Sequence, residues 1–118
     1  MKKDFPLIGL VTLFLLAGIV VIGCSGDTPA KVVKKLHVAI EKEDAKAIGQ
    51  LMTPEGAQII IMTAEKSKGA IIAYGGIEKA EEIINGNNAV VKVVYKNGET
   101  NDFDLVKIDG KWKVSMEK

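Results

Sequence analysis

The sequence predicts an α+β domain, helices first and an antiparallel meander after, set behind an apolar leader. Three observations carry this reading. Thr28-Pro29 and Thr53-Pro54 each place a hydroxyl cap before a proline, the arrangement that starts a helix. Asn97-Gly98 and Asp109-Gly110 separate runs rich in valine and isoleucine, and both dipeptides tolerate the positive φ that tight hairpin turns require. Phe5 to Gly23 carries no charge and stops at Cys24.

The leader has the order of a signal peptide: basic Lys2 and Lys3, an apolar body, and a small residue at Gly23. A retained membrane helix competes, because about 17 to 25 apolar residues can span a bilayer. The placement of Cys24 at the end of the apolar run, with polar Ser25-Gly26-Asp27 behind it, favours cleavage. Val21-Ile22-Gly23-Cys24 resembles the lipobox of bacterial lipoproteins, in which the cysteine becomes the acylated N-terminus. That resemblance implies a signal peptide over residues 1–23, an acylated cysteine and tether over 24–27, and a domain over 28–118. It implies an extracytoplasmic protein anchored in the cell membrane or outer membrane, with membrane lipid as its partner through Cys24. The tether, Ser25 to Asp27, reaches at most about 10 Å, so Lys31, Lys34 and Lys35 are expected to face the membrane.

Loss of Lys2, Lys3 and Asp4 would leave 14 basic and 14 acidic side chains of the original 16 and 15. That balance gives no reason to expect nucleic acid. The single cysteine allows no internal disulfide. With Cys24 consumed by lipid, only His37 and carboxylates remain as metal ligands, so neither a zinc site nor a cofactor is expected.

From Thr28 the first helix should run to about Glu43. Val32, Val33, Leu36 and Ile40 form its apolar arc, His37 and Ala39 sit at the edges, and Val38 falls among lysines on the wet side. Asp44 can cap a second helix, Ala45 to Met52. The third, from Thr53-Pro54 to about Lys66, contains Ile59 to Met62, which periodicity alone could equally assign to a buried strand. Ser67 to Ala70 and Gly75-Gly76 read as breaks. Ile77 to Ile84, closed by Gly86, reads locally as helix.

Strands follow over Ala89 to Tyr95, Thr100 to Ile108 and Lys111 to Met116. A two-residue turn at Asp109-Gly110 sets Leu105 against Val114 and puts Phe103, Leu105, Trp112, Val114 and Met116 on one face. A strict two-residue turn at Asn97-Gly98 would put Val91, Val93 and Tyr95 on the other face. A bulge near the turn would shift the register by one and reunite them with Phe103 and Leu105; alternatively a second copy or ligand covers that face.

The order of these segments, with Glu43-Asp44-Ala45-Lys46-Ala47, Asn87-Asn88-Ala89-Val90-Val91-Lys92-Val93 and the closing Val106-Lys107-Ile108-Asp109-Gly110-Lys111-Trp112-Lys113-Val114, resembles a family. It is similar to the small bacterial lipoproteins of unknown function in the nuclear transport factor 2-like superfamily, relatives of lumazine-binding-like domains. The resemblance implies a cystatin-like cone: N-terminal helices packed on a curved four-stranded antiparallel sheet, with a cavity between. It also implies that Ile77 to Ile84 is the first strand, against its local pattern.

His37, Tyr95 and Trp112 are the candidate pocket residues, each with a plainer reading: His37 packs at a core boundary, Tyr95 is a half-buried strand aromatic, and Trp112 closes the core. Tyr74, Asp102 and Asp104 would be the further parts of a catalytic site, but no motif pins them to one. The expected function is therefore a membrane-anchored, non-enzymatic domain that binds a small apolar ligand or a protein. The alternatives are a small cavity enzyme of hydrolase, isomerase or dehydratase type, and an envelope structural protein that forms a homodimer through its sheet.

Overall fold

The computed structural model describes residues 26–116. The apolar leader and Cys24 lie outside the described residues. Four helices come first: α1 (Pro29–Glu41), α2 (Ala45–Leu51), α3 (Pro54–Met62) and α4 (Ala64–Tyr74). Four strands follow, β1 (Ile77–Asn85), β2 (Asn88–Tyr95), β3 (Thr100–Ile108) and β4 (Lys111–Ser115), in one antiparallel sheet of order β1-β2-β3-β4. No helix among the described residues is long and apolar enough to cross a membrane.

The caps start the helices as their chemistry requires. Thr28 accepts a hydrogen bond from the Lys31 amide, Asp44 from Ala47 and Thr53 from Gly56. Each satisfies a backbone donor that the first helical turn leaves without a partner. The α1 N-terminus gains a second acceptor from across the domain, because Glu82 Oε1 of β1 accepts from the Ala30 amide at 2.9 Å. Pro29, Val32, Val33, Leu36, His37, Ala39 and Ile40 are the buried face of α1, while Val38 stays 48% exposed among the lysines.

Between Thr53 and Tyr74 the structure corrects the expected boundaries. The third helix stops at Met62, not near Lys66, and Ser67 to Ala70 lies inside α4. The break falls instead at Thr63, whose φ of −112° and ψ of 33° leave the helical region. Its hydroxyl donates to the Ile59 carbonyl at 2.8 Å, and its own carbonyl then accepts from Ser67, restarting the helix. Gly69 meets no neighbouring atom on the open side of α4, so it costs helix propensity without ending the helix.

Ile77–Asn85 is strand throughout. Its register with β2 shifts at Glu78, between the Ile77–Tyr95 and Lys79–Val94 pairs. The irregularity lets Ile77 and Ala80 both pack against the core, from which Ile83 and Ile84 stand about half exposed.

The bulge at the β2–β3 turn is present. Val91 pairs with Phe103 and Ala89 with Leu105, one residue out of step with a strict two-residue turn. The Tyr95 amide donates to Glu99 across three loop residues, and Gly98 takes φ of 93°, the left-handed residue of such a bulged turn. Val91, Val93 and Tyr95 consequently join Leu105, Trp112 and Val114 inside. The row that a second copy would have covered is instead covered by this chain's own helices.

Candidate functional site

His37 enters the site because α1 carries it one turn past Val33, on the arc that also carries Leu36 and Ile40. It is 6% exposed, deeper than a core boundary. Its Nδ1 lies 2.8 Å from the Val33 carbonyl and its Nε2 2.7 Å from the Tyr95 hydroxyl. A carbonyl can only accept, so Nδ1 carries the proton. Nε2 is then the acceptor, and the Tyr95 O–H donates to it. Both ring nitrogens are satisfied in one defined tautomer.

Tyr95 is 1% exposed, not half-buried as the plain strand reading expects. Its ring is stacked by Tyr74 of α4, 4.0 Å away at 15°, and the edge of Phe103 packs 5.4 Å from His37. Burial pushes the His37 pKa below its ordinary value, an effect opposed by the Val33 carbonyl and by the Glu41 charge. Burial also raises the Tyr95 pKa; the Asn101 side chain opposes this, and neighbouring Tyr74 adds to it. Both shifts act in one direction: the pair is held neutral.

This pair forms part of the wall of a cavity of about 380 Å³ between α1, α3, α4 and the first half of β3. Leu36, Ile40, Ile60, Ile71 and Phe103 supply its apolar wall. Its polar groups, besides His37 and Tyr95, come from Tyr74, Asn101, Ser67 and Ser115. Asp102 and Asp104 reach only its rim. Both are exposed, and Asp102 turns toward Lys92 at 3.6 Å.

The structure therefore brings His37, Tyr74 and Tyr95 together and leaves the two aspartates outside their hydrogen bonds. Trp112 stands apart, buried in a separate cleft of about 280 Å³ with Gly26, Asp27, Val32, Gln50, Leu51 and Lys111. Lys31, Lys34 and Lys35 are exposed on α1, and Lys35 is bonded to Asp27 at 2.5 Å. Sequence reasoning missed α4 as a wall of the cavity. The signal was present in Ala64, Ser67, Ile71 and Tyr74, which recur at helical spacing and, with Lys68, are the half-buried positions.

Among solved structures, the chain is similar to a Campylobacter jejuni protein described as a "putative NTF2-like transpeptidase", with a TM-score of 0.58 and 18% identity over 77% of this chain and 100% of that one. The fold is nuclear transport factor 2-like. A designed β-sheet protein matches at a TM-score of 0.41 and 15% identity, over 74% of this chain and 82% of that one. No protein-family model and no curated protein matches the chain. The nuclear transport factor 2-like cone agrees with the architecture that the sequence resemblance implied. The expectation of a non-enzymatic domain is corrected: a solved protein of this fold is described as a "putative NTF2-like transpeptidase", which points to an enzyme. The expectation rested on the lack of a motif, and residues that packing brings together across 58 positions, as it does His37 and Tyr95, leave no motif in the sequence.

Proposed function

We propose that this chain is a lipid-anchored cavity domain of the enzyme type, acylated at Cys24. It takes a small, largely apolar molecule between α1, α4 and the sheet and holds one polar group of that molecule at the Tyr95 oxygen. The observation that carries the reading is the buried His37–Tyr95 hydrogen bond in the wall of the cavity. Because the Tyr95 proton is committed to His37, its oxygen offers lone pairs, and the group it suits is a hydrogen-bond donor on the ligand. A proton leaving that donor would pass to the Tyr95 oxygen as the Tyr95 proton moves to Nε2. The cost is an imidazolium in a site that disfavours charge.

Access comes from α4. Its start at Thr63 has no side-chain cap, it contains no fully buried residue, and it ends at Gly75 with φ of 79°. Such a segment opens at low cost, and lifting it carries Tyr74 off Tyr95. The transpeptidase name favours an enzyme in general more than that reaction. Besides the phenols of Tyr74 and Tyr95, the cavity hydroxyls are Ser67 and Ser115, and both nitrogens of His37 are already engaged elsewhere.

Native mass spectrometry of the protein extracted from membranes tests the reading, since it reports acyl mass and retained ligand together. A ligand retained by the parent chain and lost from Tyr95→Phe supports it. Equal retention by both would overturn the role of the hydroxyl.

A further inference from the structure

The basic surface around the β3–β4 turn was not singled out by its sequence, and it lies at the end of the domain where the chain enters. Gly26 packs with its Cα beside the Gly110 carbonyl, close enough that an added Cβ would sit 3.4 Å from that oxygen. Cys24 is two residues upstream, within about 7 Å of Gly26 even when fully extended. The β1–β2 turn is at the same end, because the Lys107 amide donates to the Asn87 carbonyl at 2.8 Å. The opposite end carries Asn97-Gly98, some 27 Å away along the length of β3.

The charges at the two ends differ. At the Gly110 end, Lys107 and Lys111 are exposed on the hairpin and Lys31 on the first turn of α1. The acids there are largely engaged: Asp27 holds Lys35, and Glu82 caps the Ala30 amide. Among the described residues Asp109, in the turn itself, is the remaining acid there, and Asn85, Gly86, Asn87 and Asn88 contribute none. The far end mixes Lys96 with Glu99 and Asp102.

We infer that the β3–β4 turn end, through Lys31, Lys107 and Lys111, docks on the anionic headgroups of the bilayer that holds Cys24. This rests on the acylation proposed above. A short tether fixes which end approaches the membrane, and the lysines supply an attraction that acts within a Debye length of the surface. The cavity wall formed by α4 and the Asn101 half of β3 then lies away from the lipid.

Two turn asparagines at opposite ends allow a direct test. With Cys24 acylated, Asn87→Cys and Asn97→Cys each provide a single thiol for a fluorophore in the full chain. The labelled proteins are reconstituted in vesicles of phosphatidylglycerol and phosphatidylcholine that carry a headgroup nitroxide quencher. The expected result is severalfold stronger quenching at position 87 than at 97, reduced toward equality by Lys31→Glu/Lys111→Glu. Trp112, the sole tryptophan, should follow position 87. Equal quenching at the two sites, or a preference that survives the charge reversal, would overturn the docking while the acyl mass still supported the anchor. Absence of acyl mass on the intact protein would overturn both.

Discussion

His37 and Tyr95 show what one buried hydrogen bond obliges a small domain to do. Removing the phenol oxygen by Tyr95→Phe leaves Nε2 without a donor, and an unsatisfied buried acceptor costs about 1–3 kcal/mol. The variant should therefore unfold at lower denaturant concentration with an unchanged slope, as equilibrium urea unfolding would show. Acid acts on the same pair. In the folded chain burial holds the His37 pKa below its ordinary value of 6.5. Between the two values the unfolded chain binds the extra proton, so stability falls as pH drops below about 6.5 and levels off beneath the folded pKa. Tyr95, with its pKa raised, does the reverse, and its contribution is lost as pH climbs past about 10. Unfolding measured across pH should show a plateau between these limits, with the acid limb diminished in His37→Gln. The pair itself was only half legible in the sequence. The helical arc placed His37 near the core and the bulge placed Tyr95 inside, but no spacing rule joins residues 37 and 95. Their meeting depends on how far α1 slides along the sheet, which side-chain packing decides.

The elements divide into those their own sequence determines and those the fold imposes. α1 and the β3–β4 hairpin belong to the first kind, since cap, proline and turn dipeptide agree with the apolar pattern; the β2–β3 hairpin agrees with it only through its bulge. Thr53→Ala should cost about 1 kcal/mol by removing the α3 cap, detectable as a lower midpoint in thermal unfolding. Gly98→Val, forced into φ of 93°, should cost about 1–2 kcal/mol and lower the same midpoint. β1 belongs to the second kind. Ile77, Ala80, Ile83 and Ile84 have helical spacing, yet hydrogen bonding to β2 prevails because β2 would otherwise leave its edge open. α4 was misread for a related reason: its glycine, serine and lysines resemble a loop, and its helix is held by a few half-buried residues against the cavity. Amide hydrogen exchange should accordingly be faster in α4 than in α1, by orders of magnitude if α4 is the opening element.

At the scale of the whole molecule, the core lies between α1 and the inner face of the sheet, with Ile48, Met52 and Ala57 closing one side. Val33, Leu36, Val91, Val93, Leu105 and Val114 are nearly inaccessible, each contributing roughly 1.5–3 kcal/mol of burial. α3 and α4 lie to one side and keep Ile59, Met62 and Ile72 substantially exposed. The cone was legible through the family resemblance that the order of segments carries. The cavity was not, because its volume is what remains after packing, and no residue type encodes a gap.

The link between α2 and α3 bears on how copies of the chain can meet, because Met52 forms a parallel bridge to Val114 of β4. Thr53 donates its amide to the Val114 carbonyl at 2.9 Å, so the link between α2 and α3 occupies the outer side of β4 as a short extra strand would. Among the described residues, the sheet is left with one open margin, along β1. Its valence for strand addition is thus one: a second copy could pair there and close a twofold dimer, but no third could extend the sheet. Growth into filaments needs two sticky margins per subunit, and this fold has stoppered one of them with its own backbone.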